Sequence, residues 1–300
     1  MTTDIKLGLL GNRIGHSRAK SLHELMGELH GLSVHYQPMD LAAKGHADIE
    51  SELLRCREQG LRGVNVTHPY KCDAFKCVET LPEFPAGLTS VNTVLFEAGR
   101  LLADNTDYKG FCRAFRAHFG KAQQPGRVMM MGSGGVGLAI AYGLRSLMAT
   151  ELVIHDSNPQ AAQDLAVQLG DGSFKVRLAE PANLIDEMRA ADGVINATPI
   201  GMFQSPGNPF PAQGFARQQW AFDAIYTPEE TEFLHQCRAR SIDTISGFKL
   251  FLYQGVDAFR LFTGIEVDAE ATEKELLRRY PLTASAARQS IDPRTESRGA

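Results

Sequence analysis

The sequence lacks a cysteine framework. Its five cysteines, Cys56, Cys72, Cys77, Cys112 and Cys237, are odd in number and include no C-x-x-C pair. That excludes a disulfide-stapled scaffold and a zinc ribbon, and makes a reducing cytoplasm the expected setting. Neither sign of charge is in large excess, since 31 Lys plus Arg against 35 Asp plus Glu leave a formal net charge of −4. That mild acidity argues against nucleic acid or an anionic membrane as the main partner, since both need a basic surface, and leaves room for a local basic patch. Long apolar runs are missing too. Residues 5–10 are too short for the core of a signal peptide, and 128–144 are interrupted by glycine and too short to span a bilayer. No repeat or low-complexity segment occurs. A metal site is not expected, because His23-Glu24 is followed by Gly27 where a zincin helix carries its second histidine.

What is present is an alternation of strand and helix patterns. Hydrophobic residues make up 43% of 300, and at roughly 150 residues per domain this length predicts two domains or one large one. Strands are expected at 5–10, 34–38 and 63–66, and helices at 19–29 and 48–59, the helices stopped by Gly31 and Gly60. Residues 91–96 and 100–103 flank Glu97-Ala98-Gly99 as a hairpin. After a linker-like stretch at 120–126 a second series begins, with strands at 128–131, 152–156, 174–177, 193–196 and 221–223. Helices are expected at 136–148, 160–169, 229–240, 248–263 and 269–280. Met129, Met130 and Met131 sit in an apolar run and read as a buried central strand. The fold class is α/β, with mostly parallel sheets covered by helices. The polar, aperiodic stretch 284–300 reads as a disordered tail.

Gly132-Ser133-Gly134-Gly135-Val136-Gly137 fits G-x-G-x-x-G between a predicted strand and a predicted helix, the context the motif requires. Its glycines permit a tight turn and let backbone N–H groups approach a pyrophosphate at the helix N-terminus. Asp156 ends the next strand, nineteen residues past Gly137. A carboxylate there accepts hydrogen bonds from the adenosine ribose and repels a 2′-phosphate. No Lys or Arg lies between Arg145 and Lys175. NAD is therefore the expected cofactor, in preference to NADP.

Gly63-Val64-Asn65-Val66-Thr67-His68-Pro69-Tyr70-Lys71 sets polar groups and a lysine beyond a strand, and Asn105-Thr106-Asp107 precedes a helix. With Gly15-His16-Ser17, Val91-Asn92-Thr93, Asn196-Ala197-Thr198-Pro199-Ile200-Gly201-Met202, Asp223-Ala224-Ile225-Tyr226 followed by Pro228, and Gln254, these motifs recur in order over about residues 5–265. The chain resembles the shikimate dehydrogenase family, and in Asp156 and the N-A-T-P variant its NAD-using quinate/shikimate branch. The resemblance implies a Rossmann NAD-binding domain over 108–244 and a discontinuous α/β substrate domain from 1–107 and 245–283. It implies Lys71 and Asp107 as the catalytic pair, interconverting shikimate and 3-dehydroshikimate by hydride transfer. Ser17, Asn65, Thr67, Asn92, Tyr226 and Gln254 would bind a small hydroxylated cyclic acid. Gly132, Ser133, Gly134, Gly135, Val136, Asp156, Ala197, Thr198, Pro199, Met202, Ile225 and Gly247 would hold the cofactor. A monomer or homodimer is expected.

The departures from the family fall at the substrate end. The family's S-x-S or S-x-T reads Ser17-Arg18-Ala19 here, followed by Lys20 in place of proline. One hydroxyl for a substrate carboxylate is lost, a deficit of roughly 1.5–3 kcal/mol, which leaves quinate or an aminoshikimate open beside shikimate. Arg18 and Lys20 read as solvated surface cations, and Ser21-x-x-Glu24 fits a capping box. Near the nicotinamide the family's later glycine is Lys249 and its methionine is Leu250, and Tyr108 follows N-T-D where glycine is common.

Overall fold

The computed structural model describes residues 4–281 apart from His46, Asp171 and Ser173; the reading of 284–300 lies outside the described residues. Strands β1 (Asp4–Gly11), β2 (Ser33–Asp40) and β3 (Gly63–Val66) alternate with helices α1 (Ala19–Leu29) and α2 (Ile49–Glu58). A short helix α3 (Lys71–Phe75) and strand β4 (Glu79–Thr80) follow, then a hairpin of β5 (Thr93–Glu97) and β6 (Arg100–Asp104). These strands form one sheet in the order β2-β1-β3-β5-β6-β4, with β1 parallel to β2 and β3 and β5 antiparallel to β3 and β6.

Helix α4 (Thr106–Phe119) leads to the second sheet. Here β7 (Arg127–Met131), α5 (Gly135–Ser146), β8 (Glu151–His155), α6 (Pro159–Leu169) and β9 (Lys175–Leu178) make one half. The other half is α7 (Leu184–Arg189), β10 (Gly193–Asn196), β11 (Trp220–Asp223), α8 (Glu232–Arg238) and β12 (Asp243–Ile245). All six strands are parallel, in the order β9-β8-β7-β10-β11-β12. Numbered from β7, this is the 3-2-1-4-5-6 order of a doubly wound dinucleotide fold, whose crevice opens at the carboxyl ends of β7 and β10. Met129, Met130 and Met131 are buried in β7, as their apolar run predicts.

The chain then returns through α9 (Gly247–Thr263) and α10 (Ala269–Arg279). Helix α4 packs on both α5 and α9. Glycines permit the close approach: a Cβ on Gly110 would lie 2.9 Å from Gln254 N, and one on Gly143 2.6 Å from the Phe111 ring. Phe111 meets Phe222 edge-on at 5.0 Å and Phe115 meets Trp220 at 5.2 Å, so the α4 face and β11 share one core.

Three local readings are corrected. The hairpin strand begins at Thr93 and not at 91, because Val91 N donates away from the sheet to Lys71 O at the start of α3. The helix expected from 229 begins after Thr231, whose Oγ1 accepts from Leu234 N at 3.2 Å, and it ends at Arg238. Ser21 is no cap, since α1 already starts at Ala19 and Glu24 accepts from Tyr36 N at 3.1 Å across to β2.

Candidate active site

Past β3 the chain turns tightly, with Tyr70 N donating to Thr67 O at 3.0 Å and the buried Tyr70 hydroxyl donating to Asn12 Oδ1 at 2.9 Å. That anchor sets Lys71 at the start of α3. Asn105 caps α4, accepting from Tyr108 N at 2.9 Å while its Nδ2 donates to Ser90 O at 2.8 Å. Asp107 thereby falls in the first turn of α4, where the helix N-terminus favours a carboxylate. The two meet: Lys71 Nζ donates to Asp107 Oδ2 at 2.5 Å, with side-chain exposures of 14% and 9%. They are partly shielded yet keep some surface open.

Behind this pair lies a buried network of amides and hydroxyls. Asn92 Oδ1 accepts from Thr106 N at 2.7 Å, and Asn92 Nδ2 donates to Thr106 Oγ1 at 3.0 Å and to Gln254 Oε1 at 3.4 Å. Gln254 thus reaches from α9 to Asn92, just before β5. The Asn65 side chain is held by protein groups on both sides. Its Nδ2 donates to Asn92 O at 3.3 Å and Thr93 Oγ1 at 3.1 Å, and its Oδ1 accepts from Tyr36 OH at 2.9 Å. Both donor hydrogens of Asn65 have protein acceptors, so it braces Asn92 from below. Thr67, half-buried, packs its methyl against Gly11, where a Cβ would lie only 2.3 Å away.

Beyond β11, Tyr226 stacks on Phe251, rings 4.6 Å apart and 15° from parallel. Burial pushes the Tyr226 phenol up, opposed by hydrogen bonds from Ser17 and the Arg18 backbone and by the Arg18 charge. Ser17 Oγ also accepts from Ala19 N at 3.3 Å. The surface reading of Arg18 is corrected. It is half-buried and donates to Tyr280 O, and burial pulls its guanidinium down against the opposing pull of Tyr226 and Glu229. Lys20 is exposed as expected, 3.9 Å from Glu24. Lys249 turns to Glu273 on α10, with both carboxylate oxygens within 2.7 Å. Leu250 is buried beneath Gly110, and Tyr108 packs on the main core.

The glycine-rich turn fits a dinucleotide. Gly132 has φ +96°, and a Cβ on it would lie 2.7 Å from Ala197 O. A Cβ on Gly137 would lie 2.5 Å from Gly132 O, whereas one on Gly134 would meet nothing within 4 Å. The loop is thus closed against protein beneath and open at the N-cap of α5, the shape a pyrophosphate requires. Asp156, just past β8, accepts from Ser133 N and Ser133 Oγ, both at 2.7 Å, and from Asn158 N at 2.8 Å. Burial raises its carboxyl, but these hydrogen bonds outweigh that and hold it below the usual carboxylate range. Thr198 follows Asn196, whose Oδ1 accepts from its N–H and Oγ1 at 3.0 and 2.7 Å. Pro199 is exposed, and Val136 and Met202 are half-buried. Gly247 opens α9 beneath Ile225, where a Cβ would lie 2.4 Å from Ile225 O.

Comparison with known proteins gives this geometry its relatives. Residues 9–94 match the shikimate dehydrogenase substrate binding domain, and 247–277 the shikimate 5′-dehydrogenase C-terminal domain. A shikimate dehydrogenase (NADP(+)) of Streptomyces avermitilis is 39% identical over 90% of this chain and 94% of its own. The chain belongs to the shikimate dehydrogenase family. Within that family, a quinate/shikimate dehydrogenase (NAD(+)) of Corynebacterium efficiens is 37% identical over 89% of this chain and 95% of its own. The quinate dehydrogenase of Corynebacterium glutamicum in complex with NAD superposes with a TM-score of 0.82 at 34% identity, over 92% of this chain and all of that one. The Thermus thermophilus shikimate 5-dehydrogenase with NADP(H) and shikimate gives 0.79 at 30% identity, over 91% and 99%.

As a shikimate dehydrogenase family member, the protein is an oxidoreductase that takes a pyridine nucleotide. Among the described residues no helix is long and apolar enough to cross a membrane, and no group of three or more His, Cys, Asp or Glu is placed to hold a metal ion. Sequence reasoning missed three residues around the family's cleft. Tyr36 holds Asn65, and its only signal was an aromatic in an ordinary strand pattern. Thr106 holds Asn92 and lay unremarked inside N-T-D. Asn196 was read as a strand end, although its side chain joins two loops.

Proposed function

We propose that this protein oxidises shikimate to 3-dehydroshikimate and catalyses the reverse reduction, with NAD in preference to NADP. The observation that carries the reading is the Lys71–Asp107 pair at 2.5 Å, facing a network of hydroxyl-matching amides. In the reduction direction Lys71 Nζ gives a proton to the carbonyl oxygen as the carbon takes up hydride, and in oxidation Nζ takes that proton back. Asp107 Oδ2 holds Nζ in place and accepts from the neighbouring ring hydroxyl. The Asn92–Gln254 contact, at 3.4 Å the longest of its network, is the one a second ring hydroxyl replaces. Ser17 and Tyr226 take the substrate carboxylate, aided by the half-buried charge of Arg18.

When bound, the nicotinamide supplies the hydride acceptor or donor. Gly132–Gly135 and Val136 cradle the pyrophosphate, Asp156 takes the adenosine ribose, and residues 197–202, Ile225 and Gly247 bound the nicotinamide side. The first sheet together with α9 and α10 forms the substrate half and the second sheet the nucleotide half, the division falling after 107 and after 244. That none of the five cysteines is in a disulfide supports a reducing, cytoplasmic setting.

Quinate is the second reading, supported by Ala19: without the second hydroxyl the carboxylate is held less tightly and a ring with an extra C1 hydroxyl has more room. Initial rates of NAD and NADP reduction with shikimate, quinate and aminoshikimate side by side decide between these readings. Lys71→Ala should lose about 10²–10⁴ in kcat. Turnover of none of the three acids would overturn the catalytic reading and leave a nucleotide-binding protein.

A further inference from the structure

Strand β11 reads Trp220-Ala221-Phe222-Asp223: three buried apolar residues closed by a carboxylate with no exposed surface. A buried charge normally has a cation beside it. Asp223 has three neutral donors instead. Its Oδ1 accepts from Asn196 Nδ2 and Ile225 N, both at 3.0 Å, and its Oδ2 accepts from Thr231 Oγ1 at 2.6 Å.

Each donor belongs to a different piece of the crevice wall. Asn196 also donates to Ile200 O at 2.9 Å and accepts twice from Thr198, so it shapes the whole turn over 196–200. Ile225 N starts the segment that ends in Tyr226, which stacks on Phe251 of α9. Thr231 is the cap of α8 and lies within 3.5 Å of where a Cβ on Gly201 would stand. Through Asn196 and Ile225, one carboxylate fixes the nucleotide-side turn relative to the segment carrying the substrate-side tyrosine.

We propose that Asp223 is a positioning residue whose ionised carboxylate ties the 196–202 turn to the 223–226 segment and so controls nucleotide affinity. The inference rests on the nucleotide lying in this crevice, not on which acid is the substrate. Ionised, Asp223 satisfies all three donors. Protonated, it turns one acceptor site into a donor and leaves a neighbouring N–H or O–H unmatched, which loosens the turn. Burial pushes this carboxyl up to about 7, against the pull of its hydrogen bonds from Thr231, Ile225 and Asn196. The titratable group facing it is the Cys237 thiol on α8, itself pushed up to about 12 by burial and then by Asp223, so Cys237 stays protonated over the range that matters.

The test is equilibrium binding of NADH and of NADPH to the full-length protein from pH 5.5 to 9, without substrate, following the tighter of the two. Thermal unfolding is recorded alongside. Wild type should bind about tenfold more weakly at the acid end, through a single-proton step. Asp223→Asn should remove the step and bind weakly at every pH. Thr231→Val takes away one donor and keeps the carboxylate, so the step should move to higher pH even where the melting temperature falls little. Should Asp223→Asn fail to fold, Thr231→Val alone decides. A flat wild-type profile, or a step at the same pH in Thr231→Val, would overturn the proposal. Failure of both nucleotides to bind would overturn it together with the cofactor assignment, whereas failure of shikimate to turn over would leave it standing.

Discussion

A Cβ on Gly135 would lie 3.3 Å from Cδ of Lys71. The first turn of α5 and the stem of the lysine are therefore in contact, and the residue that meets Asp107 at its tip lies along the nucleotide loop with its methylenes. The glycine-rich turn and the Lys71–Asp107 pair therefore touch, and on the proposed reading the loop glycines answer two different demands.

Gly135 and Gly137 should fail differently when changed to alanine. At Gly135 the neighbour is a flexible side chain, which yields by a few tenths of an ångström and carries Nζ with it. Gly135→Ala should lower kcat by about tenfold, because small displacements of a reacting group are expensive, while nucleotide affinity changes less than about threefold. At Gly137 the neighbour is the Gly132 carbonyl, 2.5 Å from the added carbon, and backbone cannot step aside. Gly137→Ala should weaken nucleotide binding at least about tenfold and lower stability by about 1–3 kcal/mol. Equal effects on kcat and on nucleotide Kd in both variants would contradict this division.

Asp156 predicts cofactor choice. Its carboxylate is already held by Ser133 and Asn158 and kept ionised, and on the proposed reading it faces the adenosine ribose, where it would repel a 2′-phosphate. Wild-type kcat/KM should favour NAD over NADP by more than about tenfold. Asp156→Asn keeps the shape and removes the charge, and the ratio should fall by about tenfold, hydrogen bonds to a charged acceptor being worth about 1.5–3 kcal/mol. A wild-type preference for NADP, the cofactor in the name of the Streptomyces relative, would refute the reading.

How much of this was legible without coordinates depends on the range of the interactions. The β7–turn–α5 unit was readable because its information is local: an apolar strand, glycines at set spacing and a helix within twenty residues. Lys71 and Asp107 lie 36 positions apart, and only resemblance to a family, not spacing, brought them together. Arg18 looked like any exposed cation until Tyr280, 262 residues on, was seen to accept from it. The Asn196–Asp223 bond depends on β10 and β11 being adjacent strands, which no local pattern states. Periodicity finds faces, and strand order decides which strand ends share a site.

The loss of a hydroxyl at Ala19 should be reversible. Ala19 is the first residue of α1, with its N–H on Ser17 Oγ, so a hydroxyl there would sit beside Ser17 near Tyr226. Ala19→Ser should lower KM for shikimate about tenfold with kcat unchanged, the signature of added uniform binding, equal in ground and transition states. Arg18→Leu should raise KM for the carboxylate substrate by about three- to tenfold. Unchanged KM values in both variants would remove this end of the cleft from carboxylate recognition.

His23 sets an acid limit on stability. Its ring is fully buried, stacked on Tyr36 at 4.7 Å and flanked by Phe259 and Phe262. Its Nδ1 has no hydrogen-bond partner, and burial pushes the imidazole down to about 3. Between its ordinary value near 6.5 and about 3 the unfolded chain takes up a proton at this residue that the folded one refuses. Its contribution to stability is therefore complete above about pH 6.5 and is lost as pH falls, by up to about 1.4 kcal/mol per unit. His23→Phe keeps the stacking and removes the titration. Asp223 shifts in the opposite sense, since its raised carboxyl favours the folded state at low pH, but that contribution is common to both proteins and cancels in their difference. The stability of His23→Phe minus that of wild type, from urea unfolding, should be nearly constant above pH 7 and larger by about 2 kcal/mol at pH 5. A difference that does not change between pH 7.5 and 5 would mean that His23 finds a proton acceptor in the folded state.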